Sequence, residues 1–320
     1  VGVDIGCGMI AVNTHIPGLS LSTDALKHII MAHIRKTVPV GFNKHTELED
    51  FLPLNTEAPF IVSREHNRSR LQLGTLGGGN HFIEIQKDEH DIIWIMIHSG
   101  SRNLGKQVCD YYDGIAKKLN EAWKIQIPPS WDLAYLPADS QEGKDYVREM
   151  DYCVQWALMN RMLMMKRVEE GFGLAGFDPA NFEGPINISH NWASLERHWG
   201  KTVWVHRKGA TRAFEGEKGI IPGSQGTYSY IVEGLGNNES FRSCSHGAGR
   251  VLGRADAKRK LDLATEIRKL DEMGVIHGIR TVAELDEAPG AYKDIDVVMK
   301  EQEDLVKPIV KLKPIAVVKG

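Results

Sequence analysis

Five short segments carry side chains suited to metal or phosphoryl chemistry. Four of them present a histidine among small or polar neighbours, His81, His98, His190 and His246, out of 13 histidines in the chain. Imidazole is the commonest protein metal ligand and a near-neutral base or nucleophile, although a single histidine in such a place more often serves structure. The first segment, Asp4-Ile5-Gly6-Cys7-Gly8, sets a carboxylate and a thiol three residues apart, with glycines freeing the turn so that both can converge on one cation. Thiolate and imidazole suit zinc, whereas carboxylate and water suit manganese or magnesium, so donor type alone leaves the metal open.

The second segment runs from Gly74 to Glu84 and contains Gly77-Gly78-Gly79-Asn80-His81-Phe82. Consecutive glycines leave backbone N–H groups free to approach a phosphate. The segment lacks the Gly-Lys-Ser/Thr of a P-loop, and it leads into an alternating apolar stretch instead of the helix start of a dinucleotide fingerprint. That alternation puts Asn80, Phe82 and Glu84 on one face and His81 on the other. In His98-Ser99-Gly100-Ser101-Arg102, a histidine at a strand end precedes an arginine able to clamp an anion. Asn187-Ile188-Ser189-His190-Asn191-Trp192 is a weaker signal, and His198 nearby is expected on the surface. In Ser243-Cys244-Ser245-His246-Gly247-Ala248-Gly249-Arg250, small residues leave the imidazole open to in-line attack on a phosphate, with Arg250 offsetting charge.

Strands and helices must position these groups. Residues 92–97, 202–206 and 228–232 read as strands, the first a buried β-branched run ending at the polar loop that starts with His98. Helices are predicted over 106–123, over 146–170 with Gly171 as a stop, and over 255–273 with Gly274 as a stop. The second is apolar nearly all round and is expected to be buried. His190 is expected to precede a short helix closed by Gly200, and 127–140, with three prolines, reads as a long surface loop. No composition shift or internal repeat divides the chain. The expectation is a single α+β domain with a mixed α/β core.

Composition bounds the rest. Hydrophobic residues make up 42% and charged residues 25% of 320 residues, which excludes a disordered or collagen-like chain. The net charge of −3 advertises no global affinity for nucleic acid, so any such contact must use a local patch. Four cysteines without a CxxC pair fit a reducing compartment, and no apolar run approaches the roughly 18 residues of a membrane span. A cytoplasmic location is expected.

Taken in order, the segments resemble the RtcB family of RNA ligases. The matching elements are Asp4-x-Gly-Cys7, Gly77-Gly-Gly-Asn80-His81-Phe-Ile-Glu84, His98-Ser-Gly-Ser-Arg102, Arg207-Lys-Gly-Ala210, Ile221-Pro-Gly-Ser224, Ser-Cys-Ser-His246-Gly-Ala-Gly-Arg250, Ala-Tyr292-Lys-Asp and Val-Lys319-Gly. Any one is weak, but the ordered set is specific; residues 127–185 and 255–285 carry no matching motif. The resemblance implies a fold peculiar to this family and one catalytic domain over residues 1–320. It implies joining of an RNA 2′,3′-cyclic phosphate or 3′-phosphate to a 5′-hydroxyl, with GTP and two manganese ions. By motif, Asp4, Cys7, His81, His98 and His190 become manganese ligands, with Cys7 bridging both ions. His246 becomes the nucleophile that takes up GMP. Asn80, Phe82, Glu84, Ser224, Gly247, Ala248, Gly249, Tyr292 and Lys319 become the guanylate site, and Arg102 and Arg250 become contacts to phosphate or RNA. An accessory activator protein is a further expected partner. Members carry an N-terminal region with Asp-x-His and Gly-Lys-Gly, and the opening Val1-Gly2-Val3-Asp4 reads as mid-motif, so a preceding segment is expected. Two other readings compete, a metal-dependent phosphoesterase on the same scaffold and a non-catalytic binder of RNA ends. The guanylate-site residues favour ligation, because a hydrolase has no use for a guanine pocket.

Overall fold

The isoleucine-rich run at 92–97 forms the centre of the molecule. In the computed structural model, which describes residues 1–49, 60–131 and 133–320, it belongs to a seven-stranded sheet. The strands in chain order are β1 (Gly8–Pro17), β2 (Phe82–Lys87), β3 (Ile92–Ser99), β4 (Ile186–Ser189), β5 (Asn191–His198), β6 (Lys201–Lys208), β7 (Ala210–Arg212), β8 (Lys218–Ile221), β9 (Ser229–Gly234), β10 (Ser243–Ser245) and β11 (Val306–Lys319). The large sheet has the order β4-β1-β3-β2-β11-β9-β8, with every pairing antiparallel. Its edge strands β4 and β8 approach each other and nearly close it. β5 with β6 and β7 with β10 form two small ribbons beside it.

Period-two alternation separates two cores. Ile93, Ile95 and Ile97 of β3, with Ile10 and Val12 of β1 and Ile83 and Ile85 of β2, pack against Met164, Met165, Val168 and Phe172 of a long helix. Trp94 and Met96 point the other way, to Met9, Ala11, Phe82, Ile231 and Leu312. His98 and Cys7 continue that second face at the strand ends, since His98 is in phase with Met96, and Cys7 with Met9. Sheet burial on both faces explains why residues 92–97 show an unbroken apolar run. β11 reaches across two partners, β9 through its first half and β2 through its second. Pro308 and Pro314 both sit at register shifts, where a strand tolerates a residue with no N–H to donate.

The helices are α1 (Met31–Thr37), α2 (Phe60–Arg70), α3 (Arg102–Ala122), α4 (Gln141–Leu174), α5 (Arg254–Lys260), α6 (Leu263–Glu272) and α7 (Ile295–Lys300). Several sequence expectations need correction. His98 lies within β3, not in a loop, and α3 begins at Arg102, four residues before the expected start. Helix α4 starts earlier than expected, where Ser140 accepts a hydrogen bond from Gly143 N, and it passes through Gly171. A side chain at 171 would make ordinary contact with His33 and the Ile30 carbonyl, and the helix runs on past the glycine to Leu174. Nor is α4 buried all round: Arg148, Asp151, Gln155, Met159, Met162 and Lys166 form an exposed stripe at helical spacing. The predicted helix over 255–273 is two helices, because Asp262 caps α6 by accepting from Thr265 N at 2.9 Å. Residues 191–200 are not helical: β5 and β6 form a hairpin there, with Gly200 in its turn at φ 76°. His198 is buried, 2% exposed, and pairs with Glu196 at 2.9 Å.

Candidate metal centre and adjoining pocket

Three strand ends and one glycine turn converge at one mouth of the sheet. Cys7 sits at the entry to β1, in a turn where Gly6 takes φ 77° and packs against α4. His98 lies near the end of β3, directly across from both Met9 and Phe82. His190 falls between β4 and β5, its N–H donating to the Cys7 carbonyl at 2.8 Å. His81 follows the glycine turn just before β2.

Cys7 Sγ lies 3.2 Å from His98 Nε2 and 3.6 Å from His81 Nε2. His98 Nε2 is 3.2 Å from His190 Nε2, and His81 Nε2 is 3.1 Å from Asp4 Oδ2. The opposite nitrogens of two rings are already committed: His81 Nδ1 donates to the Leu76 carbonyl at 2.8 Å and His98 Nδ1 to the Asn80 carbonyl at 3.0 Å. Their Nε2 lone pairs therefore face sulfur and one another. Burial lowers the pKa values of His98 and His190 well below the usual imidazole value, and the neighbouring histidines push further in that direction, so these rings are neutral. Burial pushes the Cys7 thiol up, with Asp4 adding to it. At Asp4 burial also pushes upward, but the His81 hydrogen bond and charge prevail and hold the carboxyl below its ordinary value. Asp4 Oδ1 and His190 Nδ1 are buried without a hydrogen-bond partner. Lone pairs aimed at one point from sulfur, nitrogen and oxygen fit a cation, and the ligating atoms of Cys7, His81 and His98 all lie within 4.8 Å of one another. A bound cation would reverse the upward push on the thiol, because it deprotonates a coordinating sulfur.

His98 and His190 also wall a cavity of about 260 Å³. His246, at the end of β10, enters it with its ring centroid 4.9 Å from that of His190. Burial lowers the His246 pKa, against an opposing hydrogen bond with the Gly209 backbone, so the ring is neutral near pH 7. Gly247, Ala248, Gly249 and Ser224 line the wall beside it. Asn80, Phe82, Glu84, Tyr292 and Lys319 line the same cavity. The Lys319 ammonium stands 5.4 Å from the Phe82 ring centre and 3.5 Å from the Asn80 carbonyl. Burial raises Glu84 to about 7, partly offset by Lys319 and by a 2.7 Å hydrogen bond from Gln86.

Every metal and pocket residue expected from sequence gathers here, as does Arg250. Arg102 does not line the cavity. It stands behind the glycine turn, donating to the Gly41 carbonyl at 2.9 Å and to Thr75 at 3.3 Å. The glycine turn is itself filled, since a side chain at Gly77 would strike the Arg102 guanidinium. Sequence reading missed Glu287. This buried carboxylate meets Arg250 at 3.0 Å, Arg254 at 3.3 Å, Lys319 at 3.5 Å and the Tyr292 hydroxyl. No local pattern announced it, because apart from Tyr292 its partners come from distant stretches around 250–254 and at 319.

Fold and site together define a thiolate–imidazole–carboxylate cluster able to hold a metal ion, sharing one cavity with a further neutral histidine. The comparisons with known proteins narrow this to one family: the RtcB family, described as tRNA-splicing ligase RtcB, matches residues 1–320. The chain is 39% identical to the RNA-splicing ligase RtcB of Escherichia coli (strain K12), across 100% of this chain and 83% of that protein. It is 33% identical to the tRNA-splicing ligase RtcB of Nanoarchaeum equitans, across 94% of this chain and 72% of that one. The corresponding protein of Archaeoglobus fulgidus is 34% identical, with 94% and 71% covered. The chain belongs to the RtcB family.

Proposed function

We propose that this chain is an RNA ligase, acting as one catalytic domain, that joins a 2′,3′-cyclic phosphate or 3′-phosphate end to a 5′-hydroxyl end at the expense of GTP. The observation that carries the reading is a single cavity of about 260 Å³ that a neutral, half-buried imidazole, His246, shares with His98 and His190 of the metal-ligating cluster. Asp4, Cys7, His81, His98 and His190 would hold two manganese ions. When bound, the ions supply charge neutralisation along the triphosphate and at the leaving pyrophosphate.

The chain's own residues account for the remaining steps. Glu84, Lys319, Tyr292 and Asn80 bind the guanine end, and Phe82 offers a flat apolar face. This seats the α-phosphorus against His246. Because the ring is neutral, its free nitrogen attacks, a nitrogen–phosphorus bond forms and pyrophosphate leaves. The RNA 3′-phosphate then attacks the same phosphorus, releasing His246 and leaving a 3′-terminal diphosphate bridge to guanosine. The 5′-hydroxyl of the second RNA attacks the RNA phosphorus and GMP departs. A cyclic phosphate is first opened by water. Arg250, held by Glu287 at the pocket wall, is placed to meet phosphate oxygens.

The test is labelling with GTP carrying radioactive α-phosphate in the presence of manganese. The wild type acquires an acid-labile label and His246→Ala acquires none. An unlabelled but folded and metal-loaded wild type would remove ligation through His246 and promote the phosphoesterase reading.

A further inference from the structure

Helix α4 carries no residue of the metal cluster or the pocket, and no motif directed attention to it. Yet it places two polar side chains, Asn160 and Arg161, both fully buried, directly behind the cluster. Arg161 Nη1 donates to the carbonyl of Gly6, which precedes Cys7, and to the carbonyl of Ser99, which follows His98, each at 2.9 Å. Its Nε donates at 2.8 Å to Asn187 on β4, the strand that leads into His190. Asn160 Oδ1 accepts from Gly74 N at 2.7 Å, and its amide reaches the carbonyls of Thr75 and Gly100 at 3.2 and 3.1 Å. Gly74 and Thr75 open the turn that ends in His81.

We propose that Asn160 and Arg161 form a clamp that sets the spacing of the metal ligands, their hydrogen bonds together reaching the segments next to Cys7, His81, His98 and His190. Four segments far apart in sequence must arrive with their donor atoms a few ångströms apart. Strand pairing holds His98 between Met9 and Phe82, but the β1–β4 ladder stops at Gly8 and Ser189, one residue short of Cys7 and His190. A planar guanidinium with donors in fixed directions holds the Cys7, His98 and His190 ends to one geometry, which a flexible ammonium does not. A buried cation also offsets negative charge from a thiolate and a carboxylate gathered nearby. These are positioning residues, because neither touches the reacting groups.

The inference rests on the reading of the cluster as a metal site, and the experiment separates the two. Wild type, Cys7→Ala, Arg161→Lys and Asn187→Ala are titrated with Co²⁺ and followed by absorption and by thermal unfolding of the metal-free proteins. The wild type is expected to show a thiolate-to-cobalt charge-transfer band that Cys7→Ala lacks. Arg161→Lys is expected to bind Co²⁺ 10- to 100-fold more weakly, the range found when groups supporting metal ligands are removed, with altered d–d bands. Asn187→Ala, which frees only the His190 side and keeps the buried charge, is expected to weaken binding by a smaller factor, and it stands in if Arg161→Lys does not fold. Lower thermal stability with unchanged cobalt affinity and spectrum in these variants would reduce the clamp to ordinary core structure. A wild type without the thiolate band would overturn the metal-site reading itself, and the clamp with it.

Discussion

At Glu84, burial with an incomplete set of partners gives a carboxyl that titrates near neutrality. Its pKa of about 7 in the folded protein lies above the ordinary 4.5. The folded state thus binds the proton more tightly than the unfolded chain. This group's contribution is most favourable below pH 4.5 and is lost as pH rises through 7, a loss of about 3 kcal/mol across the window. Glu84→Gln keeps the acceptor for Gln86 and removes the titration. Urea unfolding should show the variant gaining on the wild type between pH 5 and pH 8, and parallel stabilities over that range would contradict the assignment. Much of the site was legible at this scale. Cys7, His81, His98 and His246 stand among glycines and serines, and that local setting singles them out. Glu287, Asn160 and Arg161 sit in unremarkable helical or turn sequence, and their roles depend on partners from distant segments.

At the scale of elements, β3, β6 and β9 were readable, while β1, β11 and the helix ends were not. β3 showed as an unbroken isoleucine run because both faces of the sheet are covered. β5 was taken for a helix because its burial changes phase midway, from Asn191 and Ala193 to Glu196 and His198, and three of these four buried residues are polar. The break between α5 and α6 had a readable sign in Asp262-Leu-Ala-Thr265, where an aspartate caps the new helix, but continuous amphipathicity across it suggested one helix. Asp262→Ala should lower the urea midpoint slightly, as loss of an exposed N-cap does, with cobalt or manganese affinity unchanged because α6 does not touch the cluster. The side chain is exposed, so a large drop in the midpoint would mean the cap does more than end a helix.

For the molecule as a whole, the cluster draws on β1, the turn before β2, β3 and the β4–β5 junction, so it exists only in the folded state. A ligand that binds only the native form raises stability by about 2.7 kcal/mol at a hundred times its dissociation constant. Thermal unfolding should therefore shift upward with manganese concentration and fall back on chelation. Cys7→Ala should lose the response, and a metal-independent midpoint in the wild type would argue against a native-state cation site. The nearly closed sheet was beyond sequence reading. Strand order β4-β1-β3-β2-β11-β9-β8 joins segments separated by most of the chain, and no local periodicity records which strands become neighbours.

The position of β11 has a consequence for synthesis. Its residues leave the ribosome after every other strand, yet it lies between β2 and β9 and contributes Lys319 to the pocket. Until it arrives, β2 and β9 each present an unpaired edge, the kind of surface on which nascent chains aggregate or recruit chaperones. A chain stopped before residue 306 would hold all five metal-cluster residues and His246 but lack Lys319 at the pocket. The pocket therefore takes shape after the metal-cluster residues are already in place along the chain.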